Sequence, residues 1–540
     1  MALVRAPSID EMDRLASIEE IPLSSDVWTA MFTKAAEFGA YNLVHEAQSL
    51  QGEDSLASLR QSRNLTRLFM LADQKMEVSM TTSSIERSGC FHLLAAMLLL
   101  LETKHHAPAN FYMGDTGVFT DFRNTTSGAS LFSFDSFLDH LATAVLADTA
   151  TRTDPLVLYA AMLRSPLFRD AMSSRISSNQ LSIITSELVT GLAAHQSPHW
   201  LTHAVQWLKE YWSAFIIRSR PSLDVPATAL GEDAPHSLST LYTLMTFIVS
   251  GLTDSDATVS HSAQLAVLVA DRLSSAKRID TEALISLTIL NLLIRHSDSL
   301  TKLNDTEICH LITALTRVLA VTQSTLTLEL AGSFRYLTIL TVLSLCTETK
   351  AINAMQQAKV RVPMLTGHAI AVDVIEWALF VAQDEVTALA STVNLANLVA
   401  IIYNLVGSGV SIPASTAKRM LSFIVRIVHV LKSDSRPDGV ICDGMSRDMI
   451  VVLDALASSV SETNREAICV EIRVQAKDFR DIETIFNPAP DSYKYLMQLS
   501  HDIHPLSLPP QELFTVGAVS DESDFYSDLS VEMLWQMKPR

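Results

Sequence analysis

The sequence predicts an almost entirely α-helical protein in which successive helices stack as an array, and three observations predict it. Turn formers are scarce, with 16 Gly and 18 Pro among 540 residues, so long uninterrupted helices are expected. Aromatic residues are only 7% of the chain, whereas β-sandwiches and barrels lean on aromatic and β-branched residues in alternation. From about residue 25 to 480 the chain cycles through apolar-periodic blocks of roughly 15 to 22 residues, separated by short breaks rich in Ser, Asp, Thr and Pro, as helix starts and stops produce.

In chain order the clearest blocks are 85–104, 130–148, 155–173, 178–194, 198–217, 236–253, 257–275, 280–296, 305–321, 325–346, 366–382, 386–406, 414–432 and 446–460. The breaks carry capping chemistry. Thr253-Asp254-Ser255-Asp256 can offer a side-chain oxygen to the orphan amides of the block that follows, and Asp305 stands ahead of Glu307-Ile308 in the same way. Ser197-Pro198 puts proline at a first helical position, where its missing N–H does no harm. Block 386–406 is apolar nearly all round, and such a helix must be covered on every side. One amphipathic pair cannot bury its own face, so neighbouring pairs stack into a continuous core.

The organisation expected is an irregular N-terminal helical region, 1–217, a linker at 218–236, a regular array at 237–482 and a C-terminal tail at 483–540. Within the first region, 105–129 is rich in Gly, Asn, Thr and aromatics and reads as an inserted loop. The tail carries Pro488, Pro490, Pro505, Pro509 and Pro510, then acids interleaved with Phe525, Tyr526, Leu529, Met533, Leu534 and Trp535. Such a segment docks back on the array, since large apolar patches rarely stay exposed, or serves another protein as a linear motif.

Consecutive block pairs recur at close to 40 residues, a spacing that resembles armadillo and HEAT repeats. ALISLTILNLLIRHSDS at 283–299 looks like an armadillo third helix, and STVNLANLVAIIYNLVGSG at 391–409 is similar to it. The resemblance implies a right-handed α-α superhelix, and it implies that Asn291 and Asn404, inside those runs, hold the backbone of an extended peptide along a concave groove. The repeats are divergent, and the glycine that precedes the first helix in that family is absent from most of them.

The net charge of −19 is spread along the chain. That argues against nucleic-acid wrapping, which needs clustered Lys and Arg, and would steer a partner with a basic surface. Cys90, Cys309, Cys346, Cys442 and Cys469 lie far apart with no CxxC, so small buried hydrophobes in a reducing compartment are expected, not a zinc site or a disulfide framework. The N-terminal sequence carries acids and no apolar run, so no secretory leader is predicted and the sequons at Asn64, Asn124 and Asn304 read as chance matches. Val386 to Gly407 is long enough to span a bilayer but carries Asn394, Asn397 and Asn404, so it reads as a buried helix and no transmembrane segment is expected.

Phosphate-loop, dinucleotide, HExxH and GxSxG motifs are absent from the sequence; Gly407-Ser408-Gly409 lacks a third glycine. His195, His199 and His203 share a four-residue spacing that zinc would accept, but Pro198 puts His195 outside the helix. Ser274-Ser275-Ala276-Lys277 and Ser415-Thr416-Ala417-Lys418 match S-x-x-K without the companion elements of that chemistry. His105 and His106 near Asp115 and Asp121 read as a solvated loop, and Trp200, Trp207, Tyr211 and Trp212 as core packing or a partner anchor.

The function expected is therefore a non-enzymatic scaffold or adaptor, cytoplasmic or nuclear. It would need no cofactor or metal and would bind protein through Asn291 and Asn404, with Phe525, Tyr526 and Trp535 as tail contacts. Alternatives are a self-assembling subunit of a coat or large complex, and an all-α enzyme with dispersed catalytic residues.

Overall fold

The computed structural model of the chain describes residues 19–46, 55–77, 84–103, 133–147, 149–173, 241–246, 259–275, 281–295, 303–324, 331–357, 369–388, 392–433, 470–474 and 523–536, with a few isolated positions between them. Two compact units emerge: unit 1 takes Met1–His261 with Ser523–Arg540, and unit 2 takes Ser262–Glu522. Among the described residues all regular structure is helical and no strand occurs. No helix among them is long and apolar enough to cross a membrane.

Unit 1 opens with α1 (Asp26–Phe38), α2 (Ala40–Glu46), α3 (Ser55–Ser62), α4 (Asn64–Glu77), α5 (Ser84–Thr103), α6 (Phe134–Leu146), α7 (Thr149–Leu163) and α8 (Pro166–Ser173). Its centre is α5. Between Cys90 and Leu101 only His92 escapes full burial, because a run of that composition has no polar face to turn outward. It is covered by α1, α2, α4 and α7. His92 ties three of these helices together, its ring lying 3.4 Å from the Ala35 carbonyl of α1 and 3.4 Å from Asp154 of α7.

The chain before α1 is held by Asn64 and Arg67 of α4 and by the Trp28 indole, which donates to the Pro22 carbonyl at 3.0 Å. Asn64, at the start of α4, is fully buried. Its Oδ1 accepts the Ile21 N–H at 2.9 Å, and its Nδ2 donates to the carbonyls of Glu19 at 3.0 Å and Leu15 at 3.4 Å. Asn64→Ala is expected to cost about 1–3 kcal/mol, the penalty for orphaning buried backbone groups. Limited proteolysis should then cut within residues 15–22 faster than in the parent chain; an unchanged cleavage pattern would refute the assignment.

Unit 2 contains α9 (Val259–Ser275, which starts just inside unit 1), α10 (Thr281–Arg295), α11 (Asp305–Ser324), α12 (Ala331–Leu345), α13 (Thr349–Gln357), α14 (Ile370–Ala388), α15 (Thr392–Gly407) and α16 (Ala414–Ser433). They form two layers. α10, α12 and α15 stack in one and α11, α14 and α16 in the other, with α11 on α12 and α14 on α15 across the layers and α13 against α11 and α14. This is the stacked-hairpin arrangement that the armadillo and HEAT resemblance implies, an α-solenoid. Every residue of α10 from Ala283 to Ile294 is buried, as sandwiching between neighbours requires.

Several boundaries differ from expectation for local reasons. The block 155–173 divides into α7 and α8 because Pro166 starts a new helix. The break expected before 386 is absent, with α14 running through Asp384 and Glu385 to Ala388. The cap of α11 is Asn304, not Asp305: Asn304 Oδ1 accepts the Glu307 N–H at 2.9 Å and Glu307 accepts the Asn304 N–H at 2.8 Å, a reciprocal capping box. The glycines after Val406 end α15. Gly409 sits at φ +80, its N–H bonds Val406 O at 3.1 Å and the Val410 N–H reaches Leu405 O at 3.4 Å, the Schellman pattern.

The last described helix, α17 (Ser523–Gln536), belongs to unit 1. Most of the tail, the linker 218–236, the cap at 253–256 and the sites built on His195, His199, His203, His105, His106 and Trp200 to Trp212 lie outside the described residues. Of the loop 105–129 only Phe111 and Tyr112 are described; both are buried, and Tyr112 meets Phe168 of α8 edge-on at 5.0 Å.

Candidate functional site

The two asparagines expected to face a groove sit instead between helices. Asn291 is fully buried on α10 and donates its Nδ2 to Thr341 Oγ1 of α12 at 2.9 Å, while Thr341 donates to the Leu337 carbonyl at 2.7 Å. Asn404 is equally buried on α15, its carbonyl accepting the Ser408 N–H at 3.1 Å and hydroxyl at 2.6 Å. The cause is burial on all sides. An amide on such a helix has only neighbouring helices to bond, and Asn291 pins α10 to α12 within one layer.

The tail aromatics meet a built seat within unit 1. On α17, Tyr526, Leu529, Met533 and Leu534 are buried, as is Ser530. The Ser530 carbonyl accepts the Tyr242 hydroxyl at 2.8 Å, and its side chain accepts from the Arg164 guanidinium. Tyr242 packs edge-on against Tyr41 at 4.8 Å, whose hydroxyl pairs with Thr243 at 2.8 Å. Burial pushes both phenols above their ordinary range, so they act as neutral hydrogen-bonding groups. Phe525 lies partly exposed against Tyr526 at 5.2 Å; the Trp535 side chain lies outside the described residues.

Two of the three described cysteines are enclosed. Cys90 and Cys346 are buried and free, and burial pushes both thiols up, which removes the thiolate a nucleophile needs. Among the described residues no cluster of three or more His, Cys, Asp and Glu could hold a metal ion. Arg335 of α12 donates to Glu385 of α14 at 2.9 Å, with Asn394 of α15 at 3.5 Å, a polar pin between helices with 3% of the Glu385 side chain exposed. An apolar cavity of about 10 Å³ lies between α14, α15 and α16, lined by Leu379, Val399, Ile402, Met420 and Phe423 among others, with scarcely room for one water.

What remains is surface, and one face is distinctive. From Ile370 to Val381 α14 is buried except at Glu376 and Phe380, and Phe380 is 43% exposed. Beside it, α16 buries Thr416, Ala417, Met420, Leu421, Phe423 and Ile424 and exposes Ser415, Lys418, Arg419, Ser422 and Arg426, the single stripe that 3.6-residue periodicity dictates. Glu376 links the two helices, accepting from Thr416 Oγ1 at 2.6 Å and from Arg419. In Ser415-Thr416-Ala417-Lys418 the intervening threonine is therefore a packing residue. Sequence reasoning missed this face although a signal exists: Ala414–Ser433 holds Lys418, Arg419, Arg426 and Lys432 and no acid, in a chain of net charge −19.

No protein-family model and no curated protein matches the chain. Among solved structures it is similar to Kap121p, in a crystal structure bound to Pho4p, at 11% identity and a TM-score of 0.22. The match covers 98% of this chain and 53% of the other, so the chain spans about half the length of that protein.

Proposed function

We propose that the protein is a non-enzymatic scaffold that binds another protein on the outer surface of its helical layers, in the cytoplasm or nucleus. The observation that carries this reading is the two-layer stack of unit 2. Its inward polar side chains, such as Asn291, Thr341, Arg335 and Glu385, bond helix to helix, and charged side chains such as Lys418 and Arg419 lie on exposed helix faces. A stack of this kind supplies a broad, rigid recognition surface at little conformational cost on binding.

Cross-linking of the full chain under native conditions, with light scattering of the purified protein, tests the reading. A heterologous protein recovered in fixed ratio, cross-linked to α11, α14 or α16 of an otherwise monomeric chain, is the expected result. A large homo-oligomer with no foreign partner would replace it with a self-assembling subunit, and turnover of a small substrate with an enzyme.

A further inference from the structure

We propose that unit 1 holds a helix-binding groove, and that a partner protein enters it with an amphipathic helix by displacing α17, the resident occupant. The proposal rests on the scaffold reading and gives unit 1 a binding surface of its own. Along α17 the buried positions are Tyr526, Leu529, Ser530, Met533 and Leu534, a spacing of i, i+3, i+4, i+7 and i+8, while Asp528 is exposed. A single stripe of this kind is how a helix lies in a groove on another protein. The centre of the stripe is polar. The Ser530 carbonyl accepts the Tyr242 hydroxyl at 2.8 Å and its side chain accepts from the Arg164 guanidinium, two donors carried by separate segments of the unit. They fix the register, because a helix shifted along the groove would set an apolar side chain against both.

Connectivity makes α17 exchangeable. The rest of unit 1 is Met1–His261, and the chain passes through all of unit 2, Ser262–Glu522, before α17 begins at Ser523. The helix is therefore held in its seat by contacts, as a bound ligand is, and by a tether that runs through the other unit. An equivalent helix from another chain can make every one of those contacts. A second copy of this chain is the weaker candidate, since trading α17 between two copies forms no contact that each copy lacks alone. A foreign helix gains wherever its stripe fills the seat better. Competition from α17 lowers its apparent affinity by the fraction of time the seat stands open, so the groove responds only to a helix that matches both the apolar stripe and the polar centre.

The experiment uses the full chain and, as probe, a fluorescein-labelled synthetic peptide of residues 520–540, read by fluorescence anisotropy. Leu529→Asp/Met533→Asp in the chain unseats α17, so the probe should bind this variant at least about tenfold more tightly than it binds the parent chain. Adding Tyr242→Phe, which keeps the ring and removes the donor to Ser530, should then weaken the probe about three- to tenfold. A probe that itself carries the two aspartates should bind neither chain. Gain from a helix variant with loss from a seat variant is a pattern that simple destabilisation does not produce. Equal binding of the probe to parent and variant, or binding to neither, overturns the groove. So does a variant chain that loses helical circular dichroism which the probe fails to restore, because α17 is then an inseparable part of the core. Phage-displayed peptides selected on the variant chain should carry the same apolar spacing; enriched sequences without it overturn the foreign helix. A parent-chain dimer in light scattering that the two aspartates abolish overturns it in favour of α17 from a second copy. All of these readouts concern unit 1, so the scaffold reading falls only if native cross-linking also yields no partner.

Discussion

Replacing Gly89 by alanine is expected to destabilise unit 1 by about 2 kcal/mol or more, although alanine is the better helix former by about 1 kcal/mol. Gly89 lies in α5 where α1 crosses it. A Cβ at this position would overlap the carbonyl oxygen of Phe32 and come within 2.8 Å of the Phe32 Cα. The obstacle is backbone, so no rotamer change relieves it, and α1 must move away from the helix at the centre of the unit. Gly332, exposed in the first turn of α12 with nothing within 4 Å of its added Cβ, provides the opposite sign: Gly332→Ala should stabilise by roughly 0.4–1 kcal/mol through loss of unfolded-state freedom. Urea denaturation followed by circular dichroism measures both. Equal midpoints for Gly89→Ala and the parent chain would show that the helices are not in contact there.

The sequence made the helices legible wherever apolar periodicity was long. The blocks read at 85–104, 257–275, 280–296, 305–321 and 414–432 correspond to α5, α9, α10, α11 and α16 within a few residues, because each is a long apolar-rich run closed by a polar break. Short or mixed elements were harder. The nine residues of α13 give little more than two turns of pattern, and α14 runs through Asp384-Glu385, which looks like a break until Glu385 is seen to have a buried partner.

The candidate site was less legible for a related reason. Asn291 and Asn404 were placed on the right helices, but whether an amide meets solvent or a neighbour is decided by helices distant in sequence, and here it is Thr341 that meets Asn291. Apolar content alone left the tail open between docking back and serving another protein as a linear motif. Its seat needed Tyr41, Arg164 and Tyr242, which no local pattern brings together. Lys418, Arg419 and Arg426 are legible in the sequence, but that they share the exposed side of α16 is decided by which residues the helix buries.

Loss of Arg335 is expected to be among the most damaging single changes in unit 2, at about 3–5 kcal/mol for Arg335→Ala. Only 3% of the Glu385 side chain is exposed. One oxygen takes the Arg335 hydrogen bond at 2.9 Å and a longer one from Asn394 at 3.5 Å, and the other has no partner among the described residues. Desolvation of that carboxylate is offset chiefly by one guanidinium, so removing it leaves a buried charge uncompensated. The reverse change is milder. Arg335, with 17% of its side chain exposed, can turn its head toward water, so Glu385→Gln, which keeps the volume and an acceptor oxygen, should cost less than Arg335→Ala. Arg335→Met combined with Glu385→Met removes both charges and fills the space, and such replacements of buried pairs are neutral or stabilising by about 1–4 kcal/mol. A double-mutant cycle by urea denaturation separates this account from simple loss of packing. Strong coupling, with the double variant near or above the parent chain, is the expected pattern. Additive losses, or an Arg335→Ala variant within about 0.5 kcal/mol of the parent, would show that Glu385 reaches solvent or another cation in the folded chain.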